Sequence, residues 1–356
     1  MASKSLFSII PRVKRKEEKE ERKRSFLKNG SMLLKDLIAS CDGKSHPIRC
    51  YSAAELIRAT NNFDRSCRMD ELQYDMYRGI LDDRTVSIKH NNADKDPFYD
   101  VDQAIRDIII SMQMSTHKNS LKLLGCCLEF DTPALVFENA GKGGLKRDGN
   151  LKMDNELLPW KTRLRIAKQL ASALTYLHTA FPRPIIHRNI SSHCISLDDD
   201  YVPKLSDFSL SVTVPPEQSY VEDRLKGMKG YTHIKDLEPG PLYVTTKNDV
   251  YSFGVLLLVF LVGRATNEFE EEISDLIFSD VSDVSDGQIQ IETIADPKIL
   301  EEVGGDEQAQ QLKDFLALAL LCIQDESEAR PDMIDVAKEL VRISQQGERG
   351  TWTLLT

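Results

Sequence analysis

Residues 186–209 read IHRNISSHCISLDDDYVPKLSDFS, and the reading of this stretch decides the fold. Three groups in it carry chemistry: His187-Arg188-Asn189, then Cys194, then Asp207-Phe208-Ser209. Asn189 has nearly the shape of an aspartate, but its amide cannot accept a proton as a general base must. Cys194 offers a soft sulfur, which Mg²⁺ disfavours. Asp207 keeps a hard carboxylate able to bind one metal ion.

Bulk composition bounds what surrounds this stretch. A chain of 356 residues suits one two-lobed domain or two ordinary domains, and 41% hydrophobic residues can build a sizeable core. A net charge of −10 argues against general nucleic-acid binding. The seven cysteines have no paired spacing and read as free thiols of a reducing cytosol, and no C-x-x-C pair or His/Cys cluster points to zinc. Ala2 stands where N-myristoylation requires glycine, and no apolar signal core follows. The longest apolar run, residues 255–262, is too short to span a bilayer and reads as a buried helix.

Working outward, Leu164, Ala167, Leu170, Ala171, Leu174 and Leu177 form one stripe of a long helix ending near His178. Downstream stand Asp249-Val250-Tyr251-Ser252-Phe253-Gly254, a buried helix over 312–321, and Ala329-Arg330-Pro331-Asp332-Met333. Upstream stand Thr85-Val86-Ser87-Ile88-Lys89, a helix over 103–114, LKLLGCCLE at 121–129 and ALVFENA at 134–140. Jointly these motifs make residues 50–345 resemble a protein kinase domain. The resemblance implies an α+β, bilobal protein-kinase-like fold, with a small N-lobe of β-sheet plus helix and a larger, mostly helical C-lobe. The expected boundaries are a basic arm and amphipathic helix over 1–50, the N-lobe over 51–139, the C-lobe over 140–345 and a tail over 346–356. An acidic loop near 266–310 carries Glu270-Glu271-Glu272 and the DVSDVSD of 280–286.

The same resemblance assigns roles. A working kinase reads H-R-D with an Asn five residues after the Asp, then D-F-G. Here Asn189 occupies the base position, Cys194 the second metal-ligand position and Ser209 the glycine position, where it would restrict the backbone turn after Phe208, while Ser191 replaces the lysine that contacts the transferring phosphate. Lys89 is the candidate for the nucleotide phosphates. Asp107 is its candidate partner, although gapless counting back from His117 puts Ile108 in that slot. Asp207 is the remaining candidate for Mg²⁺. The three glycines of a nucleotide loop fall on Met69, Glu71 and Tyr74, none of them glycine. His187, Arg188, Asp249 and Arg330 take structural roles, Asp249 holding the backbone of the catalytic loop. Met228 stands where a threonine would contact the catalytic Asp. Lys235 stands where a glutamate would pair with Arg330, which predicts a costly buried arginine and an altered path over 210–241. The family's cofactors are ATP with Mg²⁺, and these substitutions predict weak binding or none and impaired catalysis.

The N-terminal part narrows the resemblance. Residues 12–28 mix Lys/Arg with Glu at helical spacings, which predicts a solvated helix or arm. Met32, Leu33, Leu34, Leu37 and Ile38 predict a separate amphipathic helix ending near Gly43, packed on the body or on a partner. Tyr51-Ser52-Ala53-Ala54-Glu55-Leu56 with Ala59-Thr60-Asn61-Asn62-Phe63 follows, Ser52 capping a helix. This arrangement resembles the plant ZED-related (ZRK) receptor-like cytoplasmic pseudokinases. That resemblance implies an adaptor or decoy in plant immunity. Its partners would be the leucine-rich-repeat domain of a ZAR-type NLR receptor, receptor-like cytoplasmic kinases modified by bacterial effectors, and effectors themselves. No nucleic acid and no transmembrane segment is expected. The implied location is cytoplasmic, and at the plasma membrane when in a complex. Two alternatives stay open: a weakly active Ser/Thr protein kinase, and an ATP-binding module without turnover.

Overall fold

A computed structural model of the chain describes residues 10–41, 48–69, 76–90, 99–145, 152–153, 156–223, 226–233, 242–264, 266 and 291–349. They divide into two units. The first takes in the described residues up to 69 with 76–115 and 122–139; the second takes in 116–121 and everything from 140 onward.

The first unit begins with helix α1, Ile10–Cys41. The sequence predicts an arm and a separate amphipathic helix with a break between them. The structure instead runs one helix of 32 residues through Asn29-Gly30. The cause is tertiary. The fully buried Asn29 amide donates to the carbonyls of Leu128 (3.1 Å) and Phe130 (2.9 Å), and Ser25 donates to Asp131 (3.1 Å). Anchoring of this kind overrides the poor helix propensity of Asn-Gly. Leu27, Leu34 and Ile38, at i, i+7 and i+11, stay exposed along α1. Gly43, the expected stop, lies outside the described residues.

Strand β1 (Arg49–Cys50) leads to α2 (Ala53–Ala59), which opens on a reciprocal capping box between Ser52 and Glu55. Then come β2 (Arg68–Met69), β3 (Met76–Leu81), β4 (Arg84–Lys89), α3 (Val101–Met114), β5 (Leu123–Cys127) and β6 (Ala134–Glu138). The sheet has the order β1-β5-β6-β4-β3-β2; β1 lies parallel to β5 and the other pairs are antiparallel. Close approach of β1 requires Gly125, where a Cβ would stand 2.2 Å from the Arg49 carbonyl oxygen. Tyr51, Leu56, Val86, Ile88, Cys127 and Val136 pack together on one side of this sheet.

The second unit contains β7 (Gly143–Gly144), the short pair β8 (Lys152–Met153) and β9 (Glu156–Leu157), and α4 (Trp160–Thr179). Next are β10 (Ile185–Ile186), β11 (Ile195–Leu197), β12 (Pro203–Leu205), β13 (Val212–Thr213), β14 (Val221–Asp223) and β15 (Leu242–Val244). The remaining helices are α5 (Thr246–Val262), α6 (Ile291–Ile294), α7 (Pro297–Glu302), α8 (Asp306–Cys322) and α9 (Met333–Arg349). Helix α5 is buried on every side from Asp249 to Val262, which explains why its sequence is apolar all round. It lies so close to α8 that a Cβ on Gly254 would come within 2.6 Å of the Cys322 Cβ. Below it, the buried Arg163 guanidinium of α4 donates to Asp296 (2.7 Å) and to the carbonyls of Leu158 and Phe260. A charge buried this deeply requires such pairing. Glu270-Glu271-Glu272 and residues 280–286 lie outside the described residues, as does the tail from 350. No helix among the described residues is long and apolar enough to cross a membrane.

Asn29→Ala removes two of the bonds that anchor α1, leaving Ser25–Asp131, and strips two carbonyls of their donor. It is expected to lower unfolding free energy by about 1–3 kcal/mol and to speed limited proteolysis within 10–41. Unchanged cleavage there would mean that α1 is held by other contacts.

Candidate functional site

The site begins in the core. The Asp249 carboxylate, fully buried on α5, accepts the backbone amides of His187 (2.7 Å) and Arg188 (2.8 Å), and His178 Nε2 lies 2.9 Å from it. Burial raises the cost of ionising Asp249, but the bonds to His178 and His187 outweigh it and hold the carboxyl below its ordinary value. Two backbone amides on one side chain fix the turn in which Arg188 takes a left-handed φ of 69°. Asp249, His187 and Arg188, for which the resemblance implies structural roles, are brought together here. His178 is an addition: the sequence marked the end of a helix there, with no sign that it met Asp249.

From this turn the side chains of 187–209 converge. His187 accepts the Asn189 amide at Nδ1 (3.3 Å), so its Nε2–H donates to the Ser206 carbonyl (3.2 Å), and its ring packs edge-on against Phe208. The Asn189 side-chain amide donates to Asp207 Oδ2 (3.0 Å). The Ser209 hydroxyl donates to Asp207 Oδ1 (2.7 Å). Each oxygen of the Asp207 carboxylate, the candidate for Mg²⁺, therefore receives a hydrogen bond from a residue that departs from the kinase pattern. The sequence predicts that Ser209 acts by restricting the turn after Phe208. The structure corrects this: the left-handed residue is Asp207 itself, at φ 63°, and Ser209 acts through its hydroxyl.

Cys194 is buried, and its thiol donates to the Ser191 carbonyl (3.1 Å). Burial first of all pushes this thiol up to about 12, so it stays protonated at neutral pH. A protonated soft donor beside a carboxylate already bonded at both oxygens does not fit Mg²⁺. Among the described residues no group of three or more His, Cys, Asp or Glu is arranged to hold a metal ion.

The phosphate-contacting candidate lies in the other unit. Lys89, at the end of β4, pairs with Asp107 of α3 at 2.7 Å, both side chains buried. Ser111 donates to the second Asp107 oxygen (3.2 Å), and the Tyr99 ring lies 4.9 Å from the Lys89 ammonium. Asp107, one methylene shorter than glutamate, still reaches, while Ile108, the residue that gapless counting favours, is buried as an ordinary core side chain. Met69 ends β2, where its sulfur accepts the Ser87 hydroxyl (3.7 Å). Glu71 and Tyr74 lie outside the described residues.

Arg330 requires a correction. Lys235, its expected repulsive neighbour, lies outside the described residues. The buried Arg330 guanidinium donates to the carbonyls of Gln324 (2.7 Å), Asp325 (3.2 Å) and Lys247 (3.3 Å) and stacks over the Tyr251 ring. Carbonyl oxygens and a π-face satisfy it, so it is not the uncompensated charge that the motif predicts. Met228 meets His193 Nδ1 at 2.8 Å. Arg188 pairs with Asp223 at 2.8 Å, a contact with no signal in the motifs. Of the stretch 210–241, residues 224–225 and 234–241 lie outside the described residues.

The sequence profile of the protein tyrosine and serine/threonine kinase family matches residues 74–340. The chain is 44% identical over 336 residues to the Arabidopsis thaliana non-functional pseudokinase ZED1, covering 92% of this chain and 98% of that one. It is 40% identical over 348 residues to the serine/threonine-protein kinase ZRK1 of the same plant (92% and 94% covered). It is also 40% identical over 346 residues to its non-functional pseudokinase ZRK2 (94% of each).

Two outcomes follow from the geometry. Asn189→Asp replaces a donor with a second carboxylate about 3 Å from Asp207, and two such groups cannot both ionise. The variant should lose about 1–3 kcal/mol of stability in EDTA and regain it with Mg²⁺ or Mn²⁺, while the unaltered protein melts at the same temperature with and without metal; stabilisation of both by metal would contradict the misfit. Asp249→Asn leaves the loop amides short of an acceptor and should cost about 1–3 kcal/mol at pH 7. Because the folded carboxyl titrates below its unfolded value, its contribution is present above the ordinary aspartate value of about 3.9 and is lost as pH falls through the lower, folded value. The gap between variant and parent in urea melts should therefore close in strong acid.

Proposed function

Since the chain belongs to the protein tyrosine and serine/threonine kinase family, and within it to the ZED1/ZRK group, we propose that it is a pseudokinase serving as an adaptor. In this reading it links a ZAR-type NLR immune receptor, through that receptor's leucine-rich repeats, to effector-modified receptor-like cytoplasmic kinases. It works in the cytoplasm, and at the plasma membrane once assembled. The observation that carries loss of catalysis is the occupation of both Asp207 oxygens by Asn189 and Ser209. Phosphoryl transfer needs metal-bound phosphates and a group to orient and deprotonate the nucleophile. An amide at 189 supplies no base, a deficit of about 10²–10⁴-fold in rate. The names of two relatives, each a non-functional pseudokinase, support the same reading. The adaptor role rests on the family resemblance; α1, with Leu34 and Ile38 exposed to 59% and 58%, is the candidate receptor-contact surface.

A second reading is an ATP-binding module without turnover, or a weak Ser/Thr kinase. The buried Lys89–Asp107 pair favours it, because the lysine that would contact nucleotide phosphates is held in place. The name of ZRK1, a serine/threonine-protein kinase, supports residual activity.

Two measurements separate these readings. Purified chain with radiolabelled ATP and Mg²⁺ should transfer no phosphate to itself or to a generic substrate; transfer that Asp207→Ala abolishes would establish a kinase. Immobilised repeat domain of a ZAR-type receptor should capture the chain, and Leu34→Glu/Ile38→Glu should reduce capture about tenfold or more. Failure of capture under conditions where a member of the family is captured removes the adaptor reading.

A further inference from the structure

The ribbon of β14 and β15 carries chemistry that neither the core nor the degenerate site uses. Residues 215–223 read PPEQSYVED. The two-residue period of a strand splits them. Val221 turns inward onto Ile186, Val214 and Val244. Asp223 turns inward to Arg188, with Lys226 at 3.9 Å. Tyr220 and Glu222 turn outward, and the strand register sets Glu222 opposite Tyr243 on β15. The Tyr220 and Tyr243 rings meet edge to face at 4.8 Å, yet they remain 40% and 56% exposed. Glu222 and Glu217 are both exposed and pair with no cation among the described residues.

We infer that this face is a docking surface for an extended, lysine- or arginine-bearing peptide segment of a partner protein. Exposed tyrosine rings held at fixed geometry supply contact area at low entropic cost, which is why aromatic residues concentrate in interfaces. The face of such a ring attracts ammonium and guanidinium groups. Glu222 lies beside the ring pair and Glu217 just before it in sequence, so cation–π attraction and carboxylate pairing favour the same ligand. Those carboxylates disfavour nucleic acid and anionic lipid. The surface is also preformed. Its inner side is tied to Arg188, whose backbone Asp249 holds, so binding need not order the ribbon first. The inference goes beyond the receptor reading and depends on none of its partners.

The test uses the full chain and two labelled peptides of extended sequence, one with lysine at alternate positions and one with glutamate in its place. Fluorescence anisotropy should show binding of the lysine peptide alone. Tyr220→Ala with Tyr243→Ala, and separately Glu222→Lys, should each weaken it about tenfold or more with melting temperature unchanged, since these side chains are exposed. Asp280→Asn/Asp283→Asn/Asp286→Asn, in the acidic loop of 266–310, should leave it intact. Loss in that triple variant with retention in Glu222→Lys would overturn the proposal in favour of diffuse charge attraction, and so would equal binding of both peptides. A dimer in light scattering that Tyr220→Ala dissolves would assign the face to a second copy and overturn it likewise. Retained capture by the receptor repeats in the tyrosine variants would keep this result separate from the adaptor reading.

Discussion

One buried carboxylate organises the second unit. Asp249 sits inside a helix that is apolar on all sides, where an unpaired charge would cost several kcal/mol. Its donors are two backbone amides and a histidine. The carboxylate therefore depends on the loop, and the loop on the carboxylate. Fixing the amides of His187 and Arg188 fixes the direction of the next side chain, Asn189, and places it on Asp207. It also sends the Arg188 guanidinium to Asp223, which sets where β14 runs.

This arrangement explains how a kinase framework tolerates departures from the kinase pattern at the positions of its catalytic side chains. The bonds that hold the loop go to main-chain amides, which every residue except proline supplies. The catalytic groups are side chains attached to that frame, so Asn189, Ser191, Cys194 and Ser209 leave it undisturbed. Two of the replacements go further and add hydrogen bonds of their own. Asn189 and Ser209 give Asp207 the polar partners that a buried carboxylate needs where a metal ion is disfavoured.

The fold was legible because its determinants are local strings with fixed offsets, such as the run from Asp249 to Gly254 and the approach to His187. The departures at Asn189, Cys194 and Ser209 were visible for the same reason, since each falls at a fixed offset in the motif. What escaped the sequence depends on contacts distant along the chain. The arm and the helix around 32–38 read as separate until the carbonyls of Leu128 and Phe130, about a hundred residues on, are seen to hold Asn29 inside one helix. Arg330 reads as a stranded charge until three carbonyls and a tyrosine ring surround it. Asp107 and Ile108 cannot be separated by counting, because a one-residue change in loop length decides between them; the three-dimensional position of Lys89 does so.

The Lys89–Asp107 pair has a double meaning. In a nucleotide site it would position a lysine against phosphates. Within the first unit alone it already has a sufficient reason to exist. Both side chains are buried, and removing either partner would strand the other charge at a cost of about 3–5 kcal/mol. Ser111 and the Tyr99 ring add contacts to the same pair, so the ammonium and the carboxylate are satisfied without a ligand. The amide at 189 likewise satisfies Asp207 as well as folding demands. Stability alone therefore accounts for the Lys89–Asp107 pair, as it does for the bonds that Asn189 and Ser209 make to Asp207.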